Sequence, residues 1–291
     1  MTVANRFGRR EFIGAAVTFG VCTAMGAKMR REPLMLDTKR MSIHDGPGIR
    51  TTFFVKGCPL HCVWCHNPES IRTEAQWARY QHLCKHCPKC TMDEVTCPTR
   101  ALKLYGKPWT IDDLVKKALE DKQFYDVSGG GVTLSGGEPL YFLEWAYELL
   151  SAFKKAGLHT CLDTSLYAPP AAIDKLLPVT DMWLPDFKTN DSALHEKCTG
   201  VSNEVIKCNL ERLVRANARI EVRCLVVPGL TEDMHERYAY LESIGIARSN
   251  VVELEYFDFA RSKYLALGMK DAMPPRKVRQ NYRTLPQNRE R

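Results

Sequence analysis

From residue 51 onward, short apolar runs alternate with longer stretches in which apolar residues recur every three or four positions. The runs TTFFVKG (51–57), GVTLSGG (131–137), HTCLDTS (159–165), MWLPDFK (182–188), RIEVRCLVVPG (219–229) and VVELEYF (251–257) are rich in β-branched or aromatic residues and bounded by Gly or Pro, so they read as six strands. Between them, residues 110–126 form an amphipathic helix pattern opened by a capping Thr110 with acidic residues in its first turn. Residues 143–157 form a second, stopped by Gly157, and residues 203–217 a third. Strict alternation predicts an α/β fold with a parallel sheet and right-handed crossovers, either an open wound sheet or a closed or partial barrel. In such folds the chemistry gathers at the C-terminal ends of the strands. Gly136, Gly137 and Glu138 end one run, Asp163 and Thr164 the next, and Asp186 and Lys188 the fourth, while three cysteines follow the first strand directly. All of them are expected to face one mouth. Residues 75–106 break the alternation as a cysteine-bearing insertion, and no repeat of 20–50 residues is seen elsewhere.

Composition changes this picture little: 45% hydrophobic and 26% charged residues over 291 positions describe an ordinary globular chain with room for one barrel-sized domain or two modest ones. The net charge of +7 is confined to the ends. Residues 1–50 carry +5 and residues 261–291 carry +7, leaving −5 on the body, so the basic residues read as solvated tails and not as a nucleic-acid stripe. No apolar run suits a membrane span. Residues 1–30 carry paired Arg9 and Arg10, Phe12 and a short small-residue apolar run, which is either a twin-arginine-like export signal or a misassigned start before Met29.

Cysteine usage changes the picture more. Seven of the twelve cysteines fall between Cys58 and Cys97, too close together for a disulfide framework, which suits metal or iron–sulfur ligation in a reducing, cytoplasmic setting. In KGCPLHCVWCHNPES (56–70), Cys58, Cys62 and Cys65 have the spacing C-x3-C-x2-C, with no fourth thiol nearby. A structural zinc wants four ligands, whereas a [4Fe–4S] cube held by three thiolates keeps one iron open for a substrate or cofactor. The alternative is a zinc site completed by a distant ligand.

The segments SIHDGPGIRTTFFVKGCPLHCVWCHNPES (42–70), VTLSGGEPL (132–140), LDTS (162–165), DFK (186–188), VSNE (201–204), VVPG (226–229) and SKYLALG (262–268) resemble the radical SAM superfamily and, within it, the glycyl-radical-enzyme activating enzymes, the group that includes pyruvate formate-lyase activase. The resemblance spans about residues 33 to 270. It implies a partial (β/α)6 barrel of the radical SAM type over residues 33–74 and 107–270, a small ferredoxin-like Cys-rich insertion at 75–106 and a basic tail at 271–291. It further implies S-adenosylmethionine (SAM) on the open iron, an electron donor of flavodoxin or ferredoxin type, and a partner glycyl radical enzyme whose glycine loses a hydrogen atom to the 5′-deoxyadenosyl radical.

By the same resemblance, Trp64 packs near the adenine or simply packs the loop, and His66 borders the cluster or lies on the surface. Gly136 and Gly137 let the backbone approach, and Glu138 accepts from the methionine ammonium. Asp186, Phe187 and Lys188 belong to the SAM-binding set, beside the cluster ligand Cys65, with Arg223 facing the SAM carboxylate unless it is a structural ion pair. Asp163, Thr164 and Asp186 are expected at a monovalent-cation site. Two positions depart from the family pattern: Phe257 stands where a histidine is common, and Leu166 where a glycine is. Cys84, Cys87, Cys90 and Cys97, followed by Pro98, approximate a ferredoxin motif with a lengthened last gap and are expected to hold one auxiliary [4Fe–4S] cluster, with structural zinc as the rival. Cys22, Cys161, Cys198, Cys208 and Cys224 read as core or surface thiols. Other classes stay open: a radical SAM enzyme acting on a small molecule, or a non-catalytic iron–sulfur electron carrier.

Overall fold

The computed structural model of the protein describes residues 32–90 and 92–276. Its strands are β1 (Leu34–Ser42), β2 (Arg50–Lys56), β3 (Gln76–Arg79), β4 (Leu102–Tyr105), β5 (Gly131–Gly136), β6 (Thr160–Thr164), β7 (Met182–Pro185), β8 (Val222–Val226) and β9 (Val251–Glu255). Its helices are α1 (Ile111–Leu119), α2 (Lys122–Ser128), α3 (Leu143–Lys155), α4 (Pro170–Leu176), α5 (Ser192–Thr199), α6 (Glu204–Arg215), α7 (His235–Ser243) and α8 (Arg261–Ala266). β2, β5, β6 and β7 pair in parallel in that order, and β1 adds antiparallel to β2 at one edge. β8 and β9 pair in parallel and join β7 through Trp183 N–H to Arg219 O (2.8 Å), Glu221 N–H to Trp183 O (3.0 Å) and Phe187 N–H to Arg223 O (2.8 Å). The six strands expected from the sequence therefore form one parallel arc, the partial barrel.

Side-chain alternation divides that arc into two chemically distinct faces. Phe53, Val55, Val132, Leu134, Leu162, Trp183 and Val222 point outward into one continuous core with Leu114, Leu149, Phe153, Ile173, Leu210 and Leu241 from the helices. At about 1.5–3 kcal/mol for each large apolar side chain buried, this outer layer supplies most of the drive to fold. The inner face is free to be polar, and it carries Thr52, Thr133, Ser135, Asp163, Asp186 and Arg223.

Four features differ from the sequence expectation. The single helix expected over 110–126 is two, α1 and α2, parted at Asp121, whose carboxylate is drawn off by Arg40 Nε (2.9 Å) and Thr51 Oγ1 (2.8 Å). β1 had no strand signal, because LMLDTKRMS is a half-exposed edge with irregular register. The 75–106 insertion is bracketed by the antiparallel hairpin β3–β4, tied to β2 by Lys56 Nζ donating to Gln76 Oε1 (2.7 Å). The folded body continues past residue 270: Arg261 bonds Asp271 Oδ2 (2.7 Å) and Pro274 O (2.8 Å), and Tyr256 OH bonds Pro274 O (2.7 Å). The twin-arginine-like segment and residues 277–291 of the basic tail lie outside the described residues. No helix among the described residues is long and apolar enough to cross a membrane.

Candidate active site

The loop carrying Cys58, Cys62 and Cys65 leaves β2 at the mouth of the arc. Its start is fixed by Gly57 N–H to Ser70 O (2.6 Å) and Cys58 N–H to Ile71 O (3.1 Å), and its middle by His61 N–H to Thr199 O (2.7 Å) and Val63 N–H to Cys198 O (2.9 Å) at the end of α5. Burial pushes all three thiols up, Cys65 to about 12, and the charge of Cys62 adds to the shift of both Cys58 and Cys65. The three thiols share one buried loop, a setting that resists three bare thiolates. A bound metal centre would supply the compensating positive charge, and the all-thiol donor set suits iron. Among the described residues no three Cys, His, Asp or Glu side chains converge as ligation of a single ion requires. A cube demands less convergence, since its thiolates bind separate irons.

The Gly-Gly-Glu turn is built against this loop. Gly136 has φ +123°, and a Cβ there would lie 2.2 Å from Val55 N; a Cβ on Gly137 would lie 2.2 Å from Gly57 O. The glycines therefore admit the backbone of β2 and the cysteine loop, a closer approach than any side chain permits. Glu138 departs from its expected role. Its fully buried carboxylate accepts from Leu140 N–H (3.0 Å) and Thr164 Oγ1 (2.6 Å) at Oε1, and from Ser165 N–H (2.7 Å) and Ser165 Oγ at Oε2. Those four donors fill its acceptor positions, leaving none for an ammonium. It clamps the end of β5 to that of β6.

Below the loop lies a charge cluster. Arg223, 8% exposed, donates to His44 O (2.6 Å) and lies 3.4 Å from Asp163 Oδ1 and 3.8 Å from Asp45 Oδ1. Asp163 also accepts from Ser135 Oγ (2.6 Å). Lys188 Nζ donates to Asp186 Oδ2 (2.9 Å). Burial opposes the charge of Lys188, but Asp186 and Cys62 outweigh it and hold the ammonium above its ordinary value. Lys188 in turn lowers the shift of Cys62, and because the strands run parallel, the end of β7 that carries Asp186 and Lys188 lies on the same side of the arc as the end of β2 that the cysteine loop leaves. Two expectations fail here on strand alternation. Phe187 points to the helix layer and stacks on Tyr240 (centroids 5.3 Å apart), so its side chain does not face a cofactor. Thr164 turns to Glu138 while Asp163 turns to Arg223, so the two side chains do not form one cation-binding set.

Trp64 is 4% exposed, buried with Val227, Tyr256, Tyr264 and Met273, which is the loop-packing role. His66 is exposed, and its Nε2 meets the carbonyl of Phe257. Phe257 itself stacks on Phe259 (centroids 5.2 Å apart) under Arg276, so the position where a histidine is common contributes its backbone oxygen to the loop. Leu166 adopts φ +60°, the left-handed geometry that favours the family's glycine; complete burial in the core and Asn209 Nδ2 donating to its carbonyl (2.9 Å) hold it there. In the insertion, Cys87 and Cys90 are exposed and Cys84 and Cys97 half-buried. Burial raises the Cys97 thiol, but the N–H groups of Thr99, Leu102 and Ala101 outweigh it and hold the thiol below its ordinary value.

Asp45, Ser135, Lys263 and Tyr264 were not singled out from the sequence. The D-G-P-G run was a signal for Asp45, because its turn carries that carboxylate back over Arg223.

Comparison with known proteins agrees with this geometry. The family model described as the radical SAM superfamily matches residues 52–241. The chain is 35% identical to the (2S)-3-sulfopropanediol dehydratase activating enzyme of Klebsiella oxytoca, covering 84% of this chain and 88% of that protein. It is 32% identical to the benzylsuccinate synthase activating enzyme of Thauera aromatica (81% and 82% covered) and 33% identical to the pyruvate formate-lyase 2-activating enzyme of Escherichia coli (83% and 84% covered). Among solved structures, Streptococcus suis SuiB bound to precursor peptide SuiA matches with a TM-score of 0.50 at 15% identity over 73% of this chain and 40% of that one, a likeness of fold alone. With its three-cysteine loop, its partial barrel and relatives of this identity along most of its length, the chain belongs to the radical SAM superfamily and, within it, to the glycyl-radical-enzyme activating enzymes.

Proposed function

We propose that Cys58, Cys62 and Cys65 hold a [4Fe–4S] cluster with one open iron, and that Lys188 and Arg223 receive the methionine carboxylate of SAM beneath it. The observation that carries this reading is the common end of the arc: the cysteine loop leaves the C-terminal end of β2, and at the same end of β7 Asp186 pairs with Lys188 (2.9 Å) and bridges to Arg223 on β8. When bound, the cluster would supply one electron to SAM, breaking its C5′–S bond to leave methionine and a 5′-deoxyadenosyl radical, which would take a hydrogen atom from a glycine of the partner enzyme to give 5′-deoxyadenosine and a glycyl radical. The chain's own residues do the rest. Asp163 and Asp186 keep Arg223 and Lys188 charged and aimed; Glu138, with its four donors, fixes the turn under the loop; the buried Trp64 cluster closes the loop to water. Holding reacting groups in place and excluding water is where a protein adds to its cofactor's chemistry. Cys84, Cys87, Cys90 and Cys97 hold a second [4Fe–4S] cluster, a reading supported by their ferredoxin-like spacing with Pro98 after the last cysteine, and a flavodoxin- or ferredoxin-type donor supplies the electrons.

The test is anaerobic reconstitution with iron and sulfide, then SAM and dithionite. The expected product is 5′-deoxyadenosine, with a glycyl doublet in the electron paramagnetic resonance (EPR) spectrum of an added glycyl radical enzyme. A reconstituted protein that leaves SAM intact contradicts the reading.

A further inference from the structure

The exit of the cysteine loop is held differently from its start and middle. Backbone groups fix the latter two, but the carbonyls of Cys65 and His66 are taken by side chains of α8: Tyr264 OH donates to Cys65 O (3.2 Å) and Lys263 Nζ to His66 O (2.9 Å). Lys263 also donates to Asn67 Oδ1 (3.2 Å) and Glu69 Oε1 (2.6 Å). Its three ammonium protons thus meet three acceptors, all in the five residues that follow the last cysteine. Glu69 is 3% exposed, and its Oε2 has no partner within the protein. A carboxylate so buried depends on nearby cations: Lys263 pairs with it directly at 2.6 Å, and Lys56, whose Nζ donates to the Glu69 carbonyl, lies behind it. Without Lys263 the carboxylate loses its direct ion pair four residues from Cys65, and low-dielectric surroundings would carry the uncompensated part of its field to the sulfur.

We propose that Lys263 is a positioning residue for the cluster, which pins the exit of the ligand loop and neutralises Glu69 so that the cluster can accept its electron. This rests on the reading of Cys58, Cys62 and Cys65 as cluster ligands. An added electron is disfavoured by nearby negative charge and favoured by positive charge, so the two partners have opposite effects. Lys263→Met leaves Glu69 with only the more distant charge of Lys56 and lowers the midpoint potential of the cluster; Glu69→Gln leaves Lys263 unopposed and raises it. The double variant restores neutrality and returns toward the parent value.

Redox titration without SAM of the reconstituted full chain carrying Cys97→Ser, which keeps the cluster at the mouth and removes the second, followed by the EPR signal of the reduced cluster, reads these shifts directly; the same chain without further change is the parent. The expected change is about tenfold in the oxidised-to-reduced ratio at fixed potential for each single variant, or ~59 mV for a one-electron couple. Lys263→Arg, which keeps the charge, stays near the parent. A tie that merely supports the fold lowers cluster content in all the variants without shifts of opposite sign. Unshifted potentials in both single variants, or a double variant as low as Lys263→Met, overturn the proposal. Because Glu69→Gln retains Lys263 and its contacts with the loop carbonyl, its upward shift decides the matter even where Lys263→Met retains no cluster. A parent protein that binds no [4Fe–4S] cluster overturns the ligand reading itself, which is a distinct result from a parent cluster whose potential ignores both variants.

Discussion

Gly137 and Lys188 serve the site by opposite means, one by lacking a side chain and the other by burying a charged one. A methyl group at Gly137 would sit 2.2 Å from Gly57 O, so Gly137→Ala must push the Gly-Gly-Glu turn away from the cysteine loop. A displacement of about 1 Å costs about a hundredfold in rate where reacting atoms must be held in register, and a loss of that size is expected in 5′-deoxyadenosine formation. Lys188→Met removes a charge-assisted contact of about 1.5–3 kcal/mol and is expected to raise KM for SAM by about 10–100-fold, with the smaller effect on kcat. An unchanged KM would place SAM elsewhere. The cysteines, the paired glycines and the strand-end charges were legible in the sequence because each falls where a strand of an alternating fold ends. The side-chain roles of Glu138, Phe187 and Thr164 were not. They depend on which way a residue turns at the strand end, which motif spacing does not state and the four donors on Glu138 do.

Among the elements, the break between α1 and α2 carries the clearest physical cause. Asp121 sits where a helix would otherwise continue and ties β1 to β2 through Arg40 and Thr51. Hydrogen bonding to Arg40, which burial opposes and Thr51 assists, holds its carboxyl below the usual range. A lowered folded-state pKa contributes stability that is complete above the unfolded value of about 4 and is lost as pH falls through the folded value. Asp121→Asn is therefore expected to cost about 1.5–3 kcal/mol at neutral pH in denaturant unfolding of the anaerobically prepared protein, with the gap from the parent closing in acid. A gap that is constant from pH 7 to pH 3 contradicts this role. The apolar pattern of 110–126 could not show the break, because it is made by a tertiary partner, Arg40, 81 residues away in sequence. Five of the six parallel strands were legible because their outward faces are continuous core, and β9, which is largely exposed, through its β-branched residues and aromatic end; β1, β3 and β4 were not, since they are edge or hairpin strands with little buried area.

At the scale of the whole molecule, the partial barrel carries the three-cysteine loop at its mouth and the hairpin insertion carries a second group of thiols. Metal analysis of the reconstituted protein separates the two candidates for that second group. Two cubes give about eight irons per chain, whereas a zinc in the insertion gives about four irons and one zinc. Cys97→Ser should then remove about half of the iron while sparing the cluster at the mouth. The most direct test of the account concerns the open corner of that first cluster. In Cys97→Ser protein reduced with dithionite, the EPR spectrum of the remaining cluster should change on adding SAM, as an unoccupied iron takes up the amino and carboxylate groups, and should vanish altogether in Cys62→Ala. A spectrum indifferent to SAM would mean that all four irons already carry ligands from the protein, and the chemistry assigned to Cys58, Cys62 and Cys65 would not hold.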